Sequence, residues 1–278
     1  MTARHHDATR AYYDEFCEAY EAERGSNRPG GYHALVDDLE VGLVEHYGAG
    51  GDVLECGAGT GLLLERIAAF ARSAKGIDLS PGMLARARAR GLDVKEASVT
   101  DIPFGAESFD VTCAFKVLAH VPQIGRALVE MARVTRPGGF VLAEFYNPIS
   151  VRGAVKRFGP AGAISRVTRE SAVYTRFDAP WAVPRMLPAN LRLVASRGVR
   201  ILVPAAAIMR VPVVRDVVRH IERKLADTRA AFFAGFYIAV LQKSGRAEID
   251  HADGTPAEGG VVKREARTPG FRPRSGEA

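Results

Sequence analysis

The sequence predicts an α/β fold built on a doubly wound, mostly parallel, seven-stranded sheet. From residue 52 onward, short β-rich runs alternate with helical patterns, which is the order expected of parallel strands joined by helices. The first of these runs leads into a glycine-rich turn and then a helix. Because 47% of the residues are hydrophobic, the chain can bury a core on both faces of such a sheet.

Five runs are the predicted parallel strands, and the patterns between them have the apolar spacing of helices. The strands are "DVLEC" (52–56), "AKGID" (74–78), "LDVKEA" (92–97), "FDVTCAF" (109–115) and "FVLAEFY" (140–146). The helices are "GLLLERIAAFARS", "PGMLARARAR" and "IGRALVEMARV", with Pro81 suited to a first helical turn. Two further strands are predicted in "LRLVASRGVRILVP" and "FFAGFYIAVLQK", with the helix "VVRDVVRHIERKLAD" between them.

The flanking regions complete the predicted organisation. Residues 1–50 form an N-terminal helical cap, because "DATRAYYDEFCEAYEAERG" and "GYHALVDDLEVGLVEHYG" both have helical patterns. The sheet domain covers 51–243. Within it, residues 147–190 are too long for a simple connection after the fifth strand and are expected to form a lid insertion. Residues 244–278 have the composition of a disordered tail.

Charge and composition limit the possible partners. The net charge of +6 comes from the segment 151–243, where it would attract an anionic substrate, a nucleic acid or an acidic membrane surface. No apolar run of about 18 residues is present, and "MTARHHDATR" lacks the apolar stretch of a signal peptide, so we expect a cytoplasmic protein. Cys17, Cys56 and Cys113 are widely spaced, which predicts reduced thiols and no metal site of the CxxC kind.

The turn "ECGAGTG" predicts a site for a nucleotide-like ligand, because a glycine turn before a helix combines close backbone approach with free N–H groups. A dinucleotide fingerprint requires a third glycine at position 62, where this chain has Leu62, so NAD is disfavoured. Asp78 ends the second strand about 20 residues after the turn, where its carboxylate can accept hydrogen bonds from two ribose hydroxyls. Alternatively, Asp78 caps the helix that follows.

Four motifs follow one another over residues 52–145: "VLECGAGTG", "GIDLSPGMLARAR", "VTDIPFGAESFDVTCAFKVLAHV" and "ALVEMARVTRPGGFVLAEF". With these motifs the chain resembles the class I S-adenosylmethionine-dependent methyltransferases, in particular the small-molecule group that includes the quinone-biosynthesis methyltransferases. The resemblance implies the Rossmann-like methyltransferase fold and S-adenosyl-L-methionine as cofactor. The turn "RPGG" (136–139) is interpreted as a tight turn that leads into the fifth strand.

The resemblance also implies a set of cofactor-binding residues. The methionine part would be surrounded by Glu55, Gly57, Ala58, Gly59 and Gly61, with Thr60 at the helix start, while Asp78 would hold the ribose and Leu79 and Met83 the adenine. Relatives usually have an acid after the third strand for the adenine amino group, but here that position is Ser98; either Ser98 with the backbone of Val99 makes this contact, or Asp101 does. Lys116 faces the cofactor carboxylate or only solvent. Tyr20, on the first helix with Tyr12, Tyr13 and Phe16, either closes over the cofactor or packs as part of a terminal helix.

His33, His120 and Tyr146 are the candidate catalytic residues, because methylation of an O–H or activated C–H nucleophile requires removal of a proton. His33 and Tyr32 follow two glycines that would form a mobile hinge, so this pair could line an active site. The other two candidates have structural alternatives: His120 can pack beside a helix, and Tyr146 precedes Asn147 and Pro148, which favour a turn.

Several functions remain open at this point. The leading hypothesis is methyl transfer to an O or C nucleophile of a small apolar or aromatic molecule, such as a quinone or polyketide-like compound. A phospholipid head-group N-methyltransferase is an alternative, since residues 213–227 would form a basic amphipathic helix at a membrane surface; docking of its stripe onto the sheet is the preferred interpretation. A non-catalytic cofactor-binding protein is a further alternative.

A nucleic-acid partner is disfavoured, because no N-P-P-Y-type motif and no RNA-binding module are present. The stripe comprises Val214, Val217, Val218, Ile221 and Leu225, and the basic residues assigned to the lid are Arg152, Lys156, Arg157, Arg166 and Arg169.

Overall fold

A seven-stranded sheet forms the centre of the computed structural model, which describes residues 2–18, 20–21, 31–150, 174–203, 209 and 211–245. The strand order is β3-β2-β1-β4-β5-β7-β6, and the predicted fold class is therefore confirmed. The strands are β1 Asp52–Cys56, β2 Ser73–Asp78, β3 Asp93–Glu96, β4 Phe109–Ala114, β5 Thr135–Tyr146, β6 Leu191–Val199 and β7 Phe236–Lys243.

The direction of β7 determines what meets at one edge of the sheet. Strands β1 to β5 pair in parallel, whereas β7 lies antiparallel between β5 and β6. Phe236, the first residue of β7, pairs with Tyr146, the last residue of β5, and with Val199, the last residue of β6. The start of β7 therefore lies at the edge where the parallel strands end, which is the ligand-binding edge of doubly wound folds.

Helices cover both faces of the sheet. They are α1 Thr2–Phe16, α2 Tyr32–Gly48, α3 Leu62–Ala68, α4 Pro81–Ala89, α5 Ile124–Val134 and α6 Pro212–Leu225. Short 3₁₀ helices cover Leu118–His120, Val183–Met186 and Arg229–Phe233. Two predicted helix bounds are wrong by five residues: α1 begins at Thr2, before the expected start at residue 7, and α3 ends at Ala68, before the expected end at Ser73, where β2 already begins.

Consecutive residues of the strands face opposite layers of the core. Val53 packs with α2 and α3, while its neighbour Leu54 packs with α5. On α2 the buried side includes Leu35, Leu39 and Leu43, and on α5 it includes Leu128 and Met131. Because helices cover both faces of the sheet, residues on both sides of each strand are buried, and the strand sequences are continuous apolar runs.

The segment "RPGG" lies inside β5 and does not precede it, so the predicted start of the fifth strand at residue 140 is wrong. Thr135 pairs with Phe109 and Phe140 pairs with Val111, which leaves residues 136–139 as a bulge opposite a single residue of β4. Gly138 has φ 82° in this bulge. Arg136 is held there by two carboxylates, with N–O distances of 2.9 Å to Asp52 and 2.8 Å to Asp110.

Helix α6 does not dock through its apolar stripe, and that preferred interpretation is wrong. Val214, Val217 and Ile221 are 41%, 53% and 37% exposed, while Val218 and Leu225 are only partly buried. The docked side of α6 is mainly polar, although Val218 packs against the core. Its polar contacts are Arg219 and Arg223 to Asp38 of α2, at 2.8 and 3.1 Å, and the fully buried Glu222, which accepts hydrogen bonds from the backbone N–H groups of Ile201, Leu202 and Val203. Because three buried N–H groups need an acceptor, satisfying them outweighs burial of the valine stripe.

The remaining structural predictions are decided residue by residue. All three cysteines are free thiols, as predicted, and burial raises the pKa of Cys56 and Cys113. No helix in the described ranges is long and apolar enough to cross a membrane, and no group of three metal-binding side chains occurs there. The predicted basic residues of the lid, together with the part of the predicted tail from residue 246 onward, lie outside the described residues.

Candidate active site

A cavity of about 560 Å³ lies at the carboxyl ends of the parallel strands. It brings together every sequence-predicted site residue except Gly61. The cofactor candidates that line it are Tyr20, Glu55, Gly57, Ala58, Gly59, Thr60, Asp78, Leu79, Met83, Ser98, Val99 and Lys116, and the catalytic candidates are His33, His120 and Tyr146.

The glycine turn after β1 has two different reasons for lacking side chains. Gly57 has φ 78°, and a Cβ there would lie 2.0 Å from Cγ2 of Val117, so only glycine fits. Gly59 has φ 55°, and a Cβ there would meet nothing within 4 Å, so that the open space is part of the cavity itself. Gly61 does not line the cavity, because it faces Leu92, whose Cδ1 would lie 2.3 Å from a Cβ. The absence of a side chain at Gly61 is therefore explained by packing, and its contact with the cofactor stays a prediction.

Asp78 joins the glycine turn to the end of β2. Its Oδ2 accepts from Gly59 N and its Oδ1 from Ser80 N, both at 2.9 Å. The helix cap is Ser80, whose Oγ accepts from Met83 N at 3.1 Å, so the alternative that Asp78 caps α4 is wrong. Burial raises the pKa of Asp78, while its backbone hydrogen bonds lower it. Each carboxylate oxygen has two lone-pair sites, so both keep acceptor capacity toward the cavity.

The region after β3 decides between Ser98 and Asp101. Ser98, Val99 and Thr100 line the cavity, whereas Asp101 is exposed and does not. Ser98 Oγ accepts from Thr100 N at 3.2 Å and lies 2.8 Å from Thr100 Oγ1. The geometry therefore favours Ser98 with the backbone of Val99, the first of the two alternatives, as the polar group at this end of the cavity.

Lys116 forms an ion pair that neither predicted environment included. Its Nζ lies 2.5 Å from Oε2 of Glu40, which is fully buried on α2, and 3.9 Å from Asp37. Its backbone N, at φ 61°, donates to Glu144 Oε1 at 3.0 Å. Burial, together with the neighbouring Glu40, raises the pKa of Glu144 well above its usual range. Sequence reasoning missed Glu40 and Glu144, since α2 and β5 are far apart in the chain.

The N-terminal helix contributes an aromatic side to the cavity. Tyr12, Tyr13 and Phe16 of α1 line it, together with Tyr20 beyond the end of that helix. The ring centroid of Tyr12 lies 5.2 Å from that of Tyr13 and 5.8 Å from that of Phe16, and the centroid of Phe16 lies 5.7 Å from that of Tyr20. Asp14 anchors α1, because its Oδ1 accepts from Gly82 N at 3.0 Å and from the Ser80 hydroxyl at 2.5 Å. The helix is thus held beside the end of β2, next to Asp78.

An aromatic wall, defined here as Tyr32, His120, Tyr146, Arg200 and Phe236, lines the other end of the cavity. Tyr146 lies 5.8 Å from the ring of His120 and 5.1 Å from that of Phe236. Cζ of Arg200 lies 5.3 Å from the centroid of Phe236 and 5.0 Å from that of Tyr32. Sequence reasoning missed Arg200 and Phe236, because their position at this edge depends on the antiparallel direction of β7. The available signal was the pair of runs "LRLVASRGVRILVP" and "FFAGFYIAVLQK", which could have been interpreted as two antiparallel strands at the edge of the sheet.

The environment of His120 determines its tautomer. Nδ1 lies 3.0 Å from the backbone oxygen of Tyr174, and a carbonyl oxygen can only accept a hydrogen bond. Nδ1 therefore carries the proton, and in the neutral imidazole the lone pair is on Nε2. His33 has a different setting at the start of α2, where its ring lies edge-on to Tyr32 at 4.8 Å.

Comparisons with known proteins match this geometry. Residues 54–143 match a family model described as a methyltransferase domain. A probable S-adenosylmethionine-dependent methyltransferase of Mycolicibacterium smegmatis is 36% identical over 107 residues, which cover 38% of this chain and 42% of that protein. A demethylmenaquinone methyltransferase of Mycobacterium sp. strain JLS is 41% identical over 103 residues, covering 36% of this chain and 44% of that protein. The chain thus spans less than half the length of either relative.

A solved structure extends the similarity of fold beyond the matched segment. It is an S-adenosylmethionine-dependent methyltransferase of Thermotoga maritima, described as a possible histamine N-methyltransferase, with a TM-score of 0.61 and 18% identity. The superposition covers 84% of this chain and 98% of that one, which shows a shared fold. The predicted resemblance is confirmed: residues 54–143 match a methyltransferase domain, the chain is similar in sequence to a probable S-adenosylmethionine-dependent methyltransferase, and it shares the fold of a solved structure of that description.

Proposed function

We propose that this protein transfers a methyl group from S-adenosyl-L-methionine to an O or C nucleophile of a small aromatic molecule of the quinone class. One observation carries the proposal: a single cavity joins the glycine turn and Asp78 at one end to the aromatic wall at the other. A ligand at the first end and an acceptor at the second would therefore meet inside one enclosure. The name of the mycobacterial relative, demethylmenaquinone methyltransferase, supports a quinone as acceptor.

The residues at the first end fit the cofactor. The space beside Gly59 would be filled by a Cβ and is open to the cavity, as required for close approach of a ligand to the backbone. Both oxygens of Asp78 retain acceptor sites for ribose hydroxyls. Tyr20, Leu79 and Met83 offer apolar contacts for the adenine. When bound, the cofactor supplies an electrophilic methyl group on a sulfonium that carries its own leaving group.

The chain's contribution to the reaction is alignment, exclusion of water and removal of a proton. The rings of the wall orient a flat acceptor, and holding it in line supplies most of the rate gain expected for such a transfer. Nε2 of His120 accepts the proton that leaves the acceptor O–H or ring C–H as the new bond to the methyl group forms. Tyr146, edge-on to His120, and His33, edge-on to Tyr32 of the aromatic wall, remain candidates for orienting the acceptor.

Replacement of His120 by alanine is expected to lower the rate constant for methyl transfer about 100-fold, at the lower end of the range for loss of a general base. The affinity for S-adenosyl-L-methionine should stay unchanged, because His120 lies at the acceptor end. The measurement is transfer of the radiolabelled methyl group to a short-chain demethylmenaquinone kept in its reduced form, whose electron-rich ring is the nucleophile.

His46→Ala is the matched control, since it removes an exposed imidazole of α2 that does not line the cavity. Equal losses in both variants would contradict a specific role for His120. Saturable cofactor binding without transfer to any aromatic acceptor would overturn the proposed activity and favour a non-catalytic cofactor-binding protein.

A phospholipid head-group N-methyltransferase is the second candidate, and the exposed stripe of α6 favours it. Val213, Val214, Val217 and Ile221 are between 37% and 75% exposed, on a helix that carries four Lys and Arg residues against two acids, of which Glu222 is buried. An exposed apolar stripe with basic neighbours is the pattern of helices that lie on anionic membranes. In this reading the acceptor amine belongs to a lipid that reaches the cavity from the surface.

The double substitution Val214→Asp with Val217→Asp is therefore expected to abolish binding to vesicles that contain phosphatidylglycerol. The physical reason is that two carboxylates on the stripe oppose insertion and repel the anionic surface. Co-sedimentation with such vesicles, compared with pure phosphatidylcholine vesicles, measures the effect. Val129→Asp is the control, because Val129 is 51% exposed on α5, away from the stripe. If the unmodified protein does not sediment with either vesicle, this candidate fails.

A further inference from the structure

Arg200 brings a positive charge into the aromatic wall, and it lies outside both the sequence motifs and the segment 54–143 that matches the family model. It directly follows β6 and is 9% exposed, although it lines the cavity. Its φ of 65° is in the left-handed region, which is disfavoured for any residue other than glycine. The fold therefore holds Arg200 in this position against an energetic cost.

Two sets of contacts hold this position. The backbone oxygen of Arg200 accepts from Gly235 N at 3.0 Å, immediately before β7. The three residues that follow Arg200 donate their backbone N–H groups to the buried carboxylate of Glu222 at 2.7 to 3.1 Å. A loop anchored on both sides places the guanidinium reproducibly, as a specificity-determining side chain requires.

The guanidinium itself contacts two ring faces, at 5.0 Å from Tyr32 and 5.3 Å from Phe236. Such contacts orient the group without neutralising it, and a guanidinium stays charged at all relevant pH values. Its N–H groups match the geometry of an anionic oxygen pair, and a flat apolar ring matches the neighbouring aromatic side chains.

Charge is distributed unequally along the cavity. Among the described residues, the carboxylates that line it are Glu55 and Asp78, on β1 and β2, at the end proposed for the cofactor. Arg200 follows β6, four strand positions from β1, where the aromatic wall stands. In the described part of the chain, the acceptor end therefore combines aromatic rings with a guanidinium, while the lining carboxylates lie at the opposite end.

We propose that Arg200 binds an anionic oxygen of the acceptor, so that the site selects aromatic molecules bearing a carboxylate or an ionised hydroxyl over their neutral analogues. The proposal rests on the proposed function only in calling this ligand the methyl acceptor. With an ionised hydroxyl, the guanidinium also stabilises the electron-rich anion whose oxygen or ring carbon forms the new bond to the methyl group.

Calorimetric titration with 2-naphthoate and with neutral 2-naphthamide tests the proposal, since the two probes share one ring system. We expect 2-naphthoate to bind at least about tenfold more tightly, as one charge-assisted hydrogen bond supplies. Arg200→Met should remove this preference and leave 2-naphthamide binding within about twofold, whereas Arg200→Lys should keep part of it. The anion of 2-hydroxy-1,4-naphthoquinone distinguishes an ionised hydroxyl from a carboxylate.

Arg192→Met is the matched control, because Arg192 is an exposed arginine on the same β6 strand and its loss changes the net charge equally. Equal affinity for the two naphthalene probes in the unmodified protein, or an unchanged preference in Arg200→Met, would overturn the proposal. Parallel titration of each variant with S-adenosyl-L-methionine reports whether the fold is intact. The same titration separates the two proposals. If the unmodified protein does not bind S-adenosyl-L-methionine but still prefers 2-naphthoate in an Arg200-dependent way, only the proposed methyltransferase activity is refuted.

Discussion

Replacing Asp78 with alanine is expected to weaken S-adenosyl-L-methionine binding tenfold or more, which corresponds to about 1.4 kcal/mol. The substitution removes two carboxylate oxygens that can accept from ribose hydroxyls at the end of β2. It also removes the acceptor that holds the backbone N–H of Gly59, at 2.9 Å, so that the turn beside the cofactor loses its anchor. Both consequences act on the same end of the cavity and should add to one large loss of affinity.

Calorimetric titration with S-adenosyl-L-methionine and with NAD measures this effect. Asp78→Asn separates the two contributions, because an amide oxygen can still accept from Gly59 N but carries no charge. Asp101→Ala is the control, since Asp101 is a nearby exposed acid outside the cavity. Binding of NAD in place of S-adenosyl-L-methionine, or unchanged affinity in Asp78→Ala, would be incompatible with the proposed cofactor site.

A pair of alanine substitutions in the glycine turn is expected to separate folding from binding. In Gly57→Ala the new methyl group would lie 2.0 Å from Val117, so the turn and the segment that follows β4 would have to move apart. The left-handed backbone at this position adds a second cost. We expect the free energy of unfolding to fall by about 2 to 4 kcal/mol, from strain and overpacking together. In Gly59→Ala the methyl group meets no atom within 4 Å, so that only about 1 kcal/mol of backbone strain is expected.

For cofactor binding the order should be reversed: among molecules that remain folded, Gly59→Ala should lose more affinity than Gly57→Ala. Gly59→Ala places its methyl group in the open space of the cavity and should weaken S-adenosyl-L-methionine binding at least tenfold while the protein stays folded. Urea unfolding followed by circular dichroism measures stability, and calorimetry measures affinity. Gly138→Ala, at φ 82° with no atom within 4 Å, reports backbone strain far from the cavity. Normal cofactor affinity in Gly59→Ala would show that no ligand approaches this turn.

The local elements were predictable because their signals are local. The bounds of β1 and of α5 agree with those predicted from the sequence, since a buried run followed by glycines and an apolar period near 3.6 both act within one element. The glycine turn and Asp78 were found for the same reason: the ends of neighbouring parallel strands must meet at one edge. Where the prediction failed at "RPGG", the competing effect was pairing with β4, which extends β5 through a bulge.

The other half of the site depended on tertiary structure. Lys116 was visible in the sequence, but its partner Glu40 lies on a helix 76 residues away, so its ion pair was not. Arg200 and Phe236 reach the aromatic wall only because β7 runs antiparallel between β5 and β6. These contacts join segments whose patterns contain no information about one another.

Helix α6 shows the same division within one element. Its sequence predicted an amphipathic helix over residues 213–227, close to the observed Pro212–Leu225, because periodicity is a property of the segment itself. Which side docks was decided by the backbone N–H groups of residues 201–203, whose burial required the carboxylate of Glu222. The sequence by itself therefore determined the elements, the glycine turn and the acid at the end of β2. The tertiary structure decided the acceptor end, because unpaired polar groups and strand direction become defined only when the chain is folded.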